Sequence, residues 1–316
     1  MHVDVLAAQG NILEFDSDMV VVNLFDGVTQ PGGATGAVDG ALDGQISAAI
    51  AAGDIEGKLH ETLYIYTQGA MSARRVLIIG LGKQDEFTLD RARQVAAKAA
   101  RTARDLGAKR IASIVHGAGV GGLDPVDAAR AAAEGTVLGL YRYQRYTSDD
   151  SGKELESVTF LEADATKFAA VSTGVDEGVV IGESQNLVRD LATTPGSDLP
   201  PAALAEAASA MAQEFGLQCT ILGPEEIAAE NMNVILGVAR GSAQPCRFIV
   251  LEYTPAVETD QTIVLVGKGI TFDTGGLNLK PGDSMRHMES DMAGGAGVIG
   301  AMRLVGHFKP NVRVIG

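Results

Sequence analysis

The sequence predicts an α/β protein built as two domains. Short apolar runs alternate with helical stripes through the first half, which implies a mainly parallel sheet with crossover helices. At 316 residues the chain is long enough for two separate cores. A polar loop follows near 148–154 and a long helical stretch opens past about 165, so the domains are read as 1–165 and 166–316.

In chain order, Met19-Val-Val-Val-Asn-Leu and Val76-Leu-Ile-Ile-Gly-Leu are continuous apolar runs, as strands covered on both faces require. Apolar residues at 89, 92, 96, 99, 103 and 106 form a helical stripe, with Thr88 placed to cap its start and Gly107 to stop it. Ile111-Ala-Ser-Ile-Val-His is a further strand, Pro125 to Leu140 an Ala-rich helix, and Val158-Thr-Phe-Leu the last strand of this set. Asn186-Leu-Val-Arg-Asp-Leu-Ala is helical up to Thr194-Pro195, where the proline ends it. Pro200-Pro201 opens a helix striped by Leu204, Ala208, Met211 and Phe215 and closed by Gly216. Arg247 to Tyr253 and Thr262 to Gly267 read as strands, and a helix is expected from Asp291. Asn311 to Gly316 reads as a strand, unpaired and cut off by the end of the chain, so a fragment of a longer protein is expected.

Composition narrows the function. The charge of −15 opposes a phosphate backbone and argues against nucleic-acid binding. No stretch reaches the ~20 apolar residues of a membrane span. The start, Met-His-Val-Asp-Val-Leu, lacks the basic and apolar regions of a signal peptide. Cys219 and Cys246 fit neither a CxxC pair nor a disulfide framework, and read as reduced thiols of a cytoplasmic protein.

The chemistry-bearing residues cluster late. The stretch Lys268-Gly-Ile-Thr-Phe-Asp273-Thr-Gly-Gly-Leu-Asn-Leu-Lys280-Pro continues to Ser290-Asp291-Met-Ala-Gly-Gly. Lys268 follows an apolar strand, at the sheet edge where α/β proteins bind ligands. A phosphate loop is excluded, since Thr262 stands where its first glycine belongs and Gly269 follows the lysine. Taken singly, Asp273 reads as a turn aspartate, Asp291 as a helix cap and the lysines as surface residues. Together, two carboxylates on glycine-rich bends suit a site for hard cations. His2, His60, His116, His287 and His307 lack metal-ligand spacing, and Ser242 lies in no nucleophile elbow. Gly117 to Gly122 is a glycine-rich turn after a strand, of a kind that can also cradle a phosphate.

Residues 267–296 resemble the M17 leucyl aminopeptidases (cytosol aminopeptidases), whose pattern is Gly-Lys-Gly-x-Thr-Phe-Asp-Ser-Gly-Gly-x-x-x-Lys-Pro and then Met-x-x-Asp-Met-x-Gly-Ala. Asn186 to Pro195 and Gly237 to Pro245 are similar to two further family stretches. The likeness covers roughly 180–316, while 1–165 matches only the layout of the family's macro-like amino-terminal domain. Thr274 stands for the usual serine and Gly297 for the usual alanine.

The resemblance implies a macro-like amino-terminal domain and an incomplete, mixed-sheet, zinc-peptidase-like second domain. It implies Lys268, Asp273 and Asp291 as ligands of two divalent ions (Mn2+ or Zn2+), Asp273 bridging, and Lys280 as the catalytic lysine that polarises the scissile carbonyl. A ligating lysine acts as the neutral amine, since only that form has a lone pair. The implied substrate is a peptide with a free amino terminus, and the implied assembly a homohexamer. The family's Asn-Thr-Asp-Ala-Glu-Gly-Arg motif, which brings further ligands, occurs nowhere in the chain, so these 316 residues alone are expected to be inactive. The alternative reading is an ADP-ribose-like ligand-binding module carrying a decayed peptidase domain.

Overall fold

A computed structural model describes residues 3–119, 121–148 and 152–316. His2, Val120 and residues 149–151, which fall within readings above, lie outside them. The chain divides into two compact units, Met1–Glu183 and Ser184–Gly316.

In the first unit, strands β1 (Asp4–Gln9) and β2 (Met19–Phe25) precede helices α1 (Gly33–Ala41) and α2 (Gln45–Ala52). Strands β3 (Thr62–Tyr66) and β4 (Arg75–Gly82) lead to α3 (Leu89–Asp105), β5 (Arg110–Ile114), α4 (Pro125–Leu140) and β6 (Ser157–Glu162). Helix α5 (Ala165–Thr193) follows, and the division between the units falls within it. The sheet order is β1-β6-β5-β2-β4-β3, parallel except for the edge strand β3, which pairs antiparallel with β4.

Alternation along the central strands builds two cores. Met19, Val21 and Phe25 of β2, with Leu77, Ile79 and Leu81 of β4, face α3, α4 and the first part of α5. Val20, Val22 and Leu24, with Val76 and Ile78, face α1 and α2. Period two therefore sends alternate residues of one apolar run to opposite cores. The expected cap forms, with Thr88 Oγ1 accepting from the Arg91 amide at 3.3 Å, and Gly107 takes the left-handed φ of +81°.

Packing among the helices depends on small residues. Gly174, Gly178 and Gly182 form an i, i+4 ridge on α5. A Cβ at Gly174 would lie 2.2 Å from Val126 O, and one at Gly178 would lie 2.3 Å from Arg130 O, so α5 and α4 meet backbone to backbone.

The second unit holds α6 (Pro201–Phe215), β7 (Gln218–Leu222), α7 (Pro224–Ala229), α8 (Asn233–Ala239), β8 (Phe248–Tyr253) and β9 (Thr262–Val264). Helices α9 (Gly282–Met285) and α10 (Ala293–Phe308) and strand β10 (Arg313–Ile315) complete it. The sheet order is β7-β8-β10-β9, with β8 antiparallel to both β7 and β10, and β9 parallel to β10. Leu204, Ala208 and Met211 of α6 pack with Ala296, Ile299 and Met302 of α10 over Leu251 and Val314. Gly216 closes α6 in the left-handed region, as expected.

Three expectations need correction. The strand read over Thr262 to Gly267 ends at Val264 because only its first residues find ladder partners on β10. The terminal strand read as unpaired lies between β8 and β9, bonded to both. Asp291 caps no helix: it sits in a 3-10 turn at Met288–Met292, and α10 opens at Ala293 without a side-chain cap.

Candidate metal centre

Beyond β9 the chain stays extended for one more bond, Leu265 N to Ile315 O at 2.8 Å, and then meets the start of α10. The contact is close because glycine faces glycine: a Cβ at Gly267 would lie 2.3 Å from Gly294 O. The Gly295 amide donates to Lys268 O at 2.6 Å. This fixes the Lys268 backbone against the helix and sets its side chain beside the preceding turn, which carries Asp291. Lys268 Nζ donates to Asp291 Oδ1 at 2.8 Å. Its distance to Oδ2 is 2.7 Å, so the ammonium straddles both oxygens of the Asp291 carboxylate.

A second pair is built by one loop. The Gly275 amide donates to Asp273 Oδ1 at 2.8 Å, and Lys280 N donates to Thr274 O at 3.0 Å. Closing that loop carries Lys280 Nζ to 2.9 Å from Asp273 Oδ2. Gly275 permits the bend: its φ is +90°, and a Cβ there would lie 2.3 Å from Asn278 O. The Lys280 ammonium, helped by the Gly275 amide, holds the Asp273 carboxyl below the usual carboxylate range, and the Lys268 charge acts in the same direction.

The four residues singled out in the sequence thus form two lysine–aspartate pairs, Lys268 with Asp291 and Lys280 with Asp273. Among the described residues no three His, Cys, Asp or Glu side chains converge on one point. His287 and His307 join neither pair, and Cys219 and Cys246 are free thiols. The sequence reading missed the backbone part, the amides of Gly275 and Gly295. Their signals were the doubled glycines after Thr274 and after Ala293.

The donor types suit a hard divalent ion in kind: two carboxylates and, once it gives up its proton, the Lys268 amine. They are part of the set that such an ion takes.

Residues 21–150 match the family model described as "Cytosol aminopeptidase family, N-terminal domain", and residues 186–316 match "Cytosol aminopeptidase family, catalytic domain". A "Probable cytosol aminopeptidase" of Acidobacterium capsulatum is 41% identical over 264 residues, covering 83% of this chain and 52% of the relative. One from Roseiflexus castenholzii is 38% identical over 319 residues, covering 100% and 62%. The chain therefore spans between half and two thirds of the length of these relatives. Among solved structures, a mutant of tomato leucine aminopeptidase superposes with a TM-score of 0.81 at 25% identity, over 99% of this chain and 61% of that one. The bottromycin maturation enzyme BotP in complex with Mn gives 0.77 at 29% identity, over 95% and 58%.

Proposed function

Since the chain belongs to the cytosol aminopeptidase family, we propose that the whole protein removes amino-terminal residues, leucine among them, from peptides in the cytoplasm. The observation that carries this reading is the pairing of two lysines with two aspartates on glycine-built bends.

In this proposal Lys268, Asp273 and Asp291 would hold two divalent ions, Mn2+ or Zn2+. Such ions, when bound, supply Lewis acidity toward water and the scissile carbonyl. Lys268 would have to release its proton from Nζ and part from the ion pair it makes with Asp291. Lys280 keeps its proton and offers positive charge where the carbonyl oxygen becomes an oxyanion. The Gly275 amide holds Asp273 in place while Lys280 turns to the substrate. The manganese named for BotP supports a divalent cofactor here, and a homohexamer, as the family resemblance implies, is the proposed assembly.

The test is hydrolysis of leucine p-nitroanilide by the natural gene product loaded with Mn2+ or Zn2+. Asp273→Ala is expected to abolish turnover, and Lys280→Ala to lower kcat by about 10²–10³. Near-normal turnover in the Asp273 variant would defeat the assignment. The 316-residue chain by itself should bind Mn2+ only weakly in calorimetry, because two carboxylates make a small donor set; tight binding would show that its site is sufficient.

A further inference from the structure

The first unit has an open sheet edge bordered by unpaired positive charge. Strand β3 ends its sheet and pairs on one side only, with β4. Natural edge strands are commonly blunted by a lysine, a proline or a bulge. β3 has none of these: it reads Thr62-Leu-Tyr-Ile-Tyr66, rich in the β-branched and aromatic residues that favour strands, and its register with β4 is unbroken. Just outside its two ends, Glu61 O accepts from the Gly80 amide at 2.8 Å and the Thr67 amide donates to Arg74 O at 3.1 Å. Ladder bonds alternate, so Leu63 and Ile65 also turn to β4, while Thr62, Tyr64 and Tyr66 turn their N–H and C=O groups to the open side.

The side chains beside this edge form a platform. Tyr64 and Tyr66 stand opposite Leu77 and Arg75 of β4, hence on the sheet face that α3 covers. They are 44% and 57% exposed, with ring centroids 6.0 Å apart, edge to face. His60, two residues before β3, ties α3 to this place: burial, and then the charges of Lys98, Arg101 and Arg91, lower its imidazole from the usual value. Arg91 is answered by Glu86 at 2.8 Å. Lys98 and Arg101 make no ion pair among the described residues, in a chain with 40 acidic residues against 25 Lys and Arg. Counter-charge is abundant in the chain, yet none is placed on these two.

Backbone and charge together select the occupant. A nucleic acid has no backbone amides to complete the ladder, and its phosphates meet a net charge of −15. A second copy joined edge to edge through β3 would carry both α3 helices on one face of the continuous sheet, with Lys98 and Arg101 of each copy facing those of the other. An extended acidic segment meets both demands: its backbone completes the ladder, and its carboxylates at alternate positions lie on the α3 side.

We propose that the β3 edge and the adjoining side of α3 dock an extended acidic segment of a partner protein, added as a further strand beyond β3. The probe is the acetylated peptide Thr-Glu-Val-Glu-Val-Glu-Thr with a fluorophore at its carboxyl end; the blocked amino terminus keeps it from being an aminopeptidase substrate. It is titrated with the 316-residue chain in about 50 mM salt, where screening is weak, and read by fluorescence anisotropy. Saturable binding is expected. Arg101→Glu and Tyr66→Ser, both at exposed positions, should each weaken it tenfold or more with the melting temperature unchanged. N-methylation of the peptide, which leaves the protein untouched, should weaken binding tenfold at one set of alternate residues and leave it unchanged at the other. No saturable binding, equal binding of the peptide with lysine in place of glutamate, or equal loss from both N-methylated sets would overturn the proposal. So would tighter binding of a single-stranded DNA oligonucleotide, or dimerisation of the chain that Tyr66→Ser abolishes.

Discussion

His116 shows how a single residue couples burial to pH. Burial pushes its imidazole down to about 4 from the usual 6.5, so in the fold it is neutral and shares a hydrogen bond with Asn23. Between those two values the unfolded chain binds the extra proton and the folded chain does not. Stability is therefore full above about 6.5 and declines as the pH falls toward 4. A displacement of that size corresponds to about 3 kcal/mol across the window. His60, also lowered by burial, adds loss of the same sign. Urea titrations at pH 7 and pH 5 should show the first unit weaker at pH 5, and His116→Gln should reduce that difference. A flat profile would contradict the neutral buried imidazole. The catalytic-side counterpart is Gly275, where backbone rather than side chain is at stake. Gly275→Ala meets Asn278 O and a φ of +90° together, so the loop must shift and part Lys280 from Asp273. In the whole protein this variant should lose kcat while both site side chains remain; unchanged kcat would show that the loop does not set the pair.

At the scale of elements, the glycine ridge on α5 sets two effects against each other. Replacing a mid-helix glycine by alanine gains up to about 1 kcal/mol of helix propensity. At Gly178, however, the new methyl would lie 2.3 Å from Arg130 O, and such overpacking costs about 1–3 kcal/mol. The steric term wins, so Gly178→Ala should lower the urea midpoint, and a raised midpoint would refute close α4–α5 contact. Arg130 marks the same seam from the polar side: its Nε and Nη1 donate to Glu177 and Asp127 at 2.6 and 2.7 Å. These ion pairs are about one-third exposed, so packing rather than charge decides the seam's stability.

For the whole molecule, charge is the governing quantity. With 40 acidic against 25 Lys and Arg residues, the chain repels a phosphate backbone at long range. Gel-shift measurements in about 50 mM salt should detect no DNA complex, since the net negative charge opposes association where screening is weakest. A shifted band would reveal a local basic surface strong enough to outweigh the total. No helix among the described residues is long and apolar enough to cross a membrane.

The sequence alone determined the interior of both units. Strands β2 and β4 and helices α3, α4 and α6 follow from apolar runs, Thr88, Pro125, Pro201 and Gly216, because residues buried on both faces or along one stripe must show it in their pattern. It also picked out Lys268, Asp273, Lys280 and Asp291. Tertiary structure decided the edges. β1, β3 and β7, which the pattern did not reveal, and β9, which it overextended, are the terminal strands of their sheets. An edge strand lacks one neighbour and buries little, so its residues are under weak constraint and carry weak alternation. Tertiary structure alone also decided which lysine meets which aspartate. Lys268 reaches Asp291 because glycine backbones 27 positions apart, Gly267 and Gly294, touch, and no local pattern records a contact made across that separation.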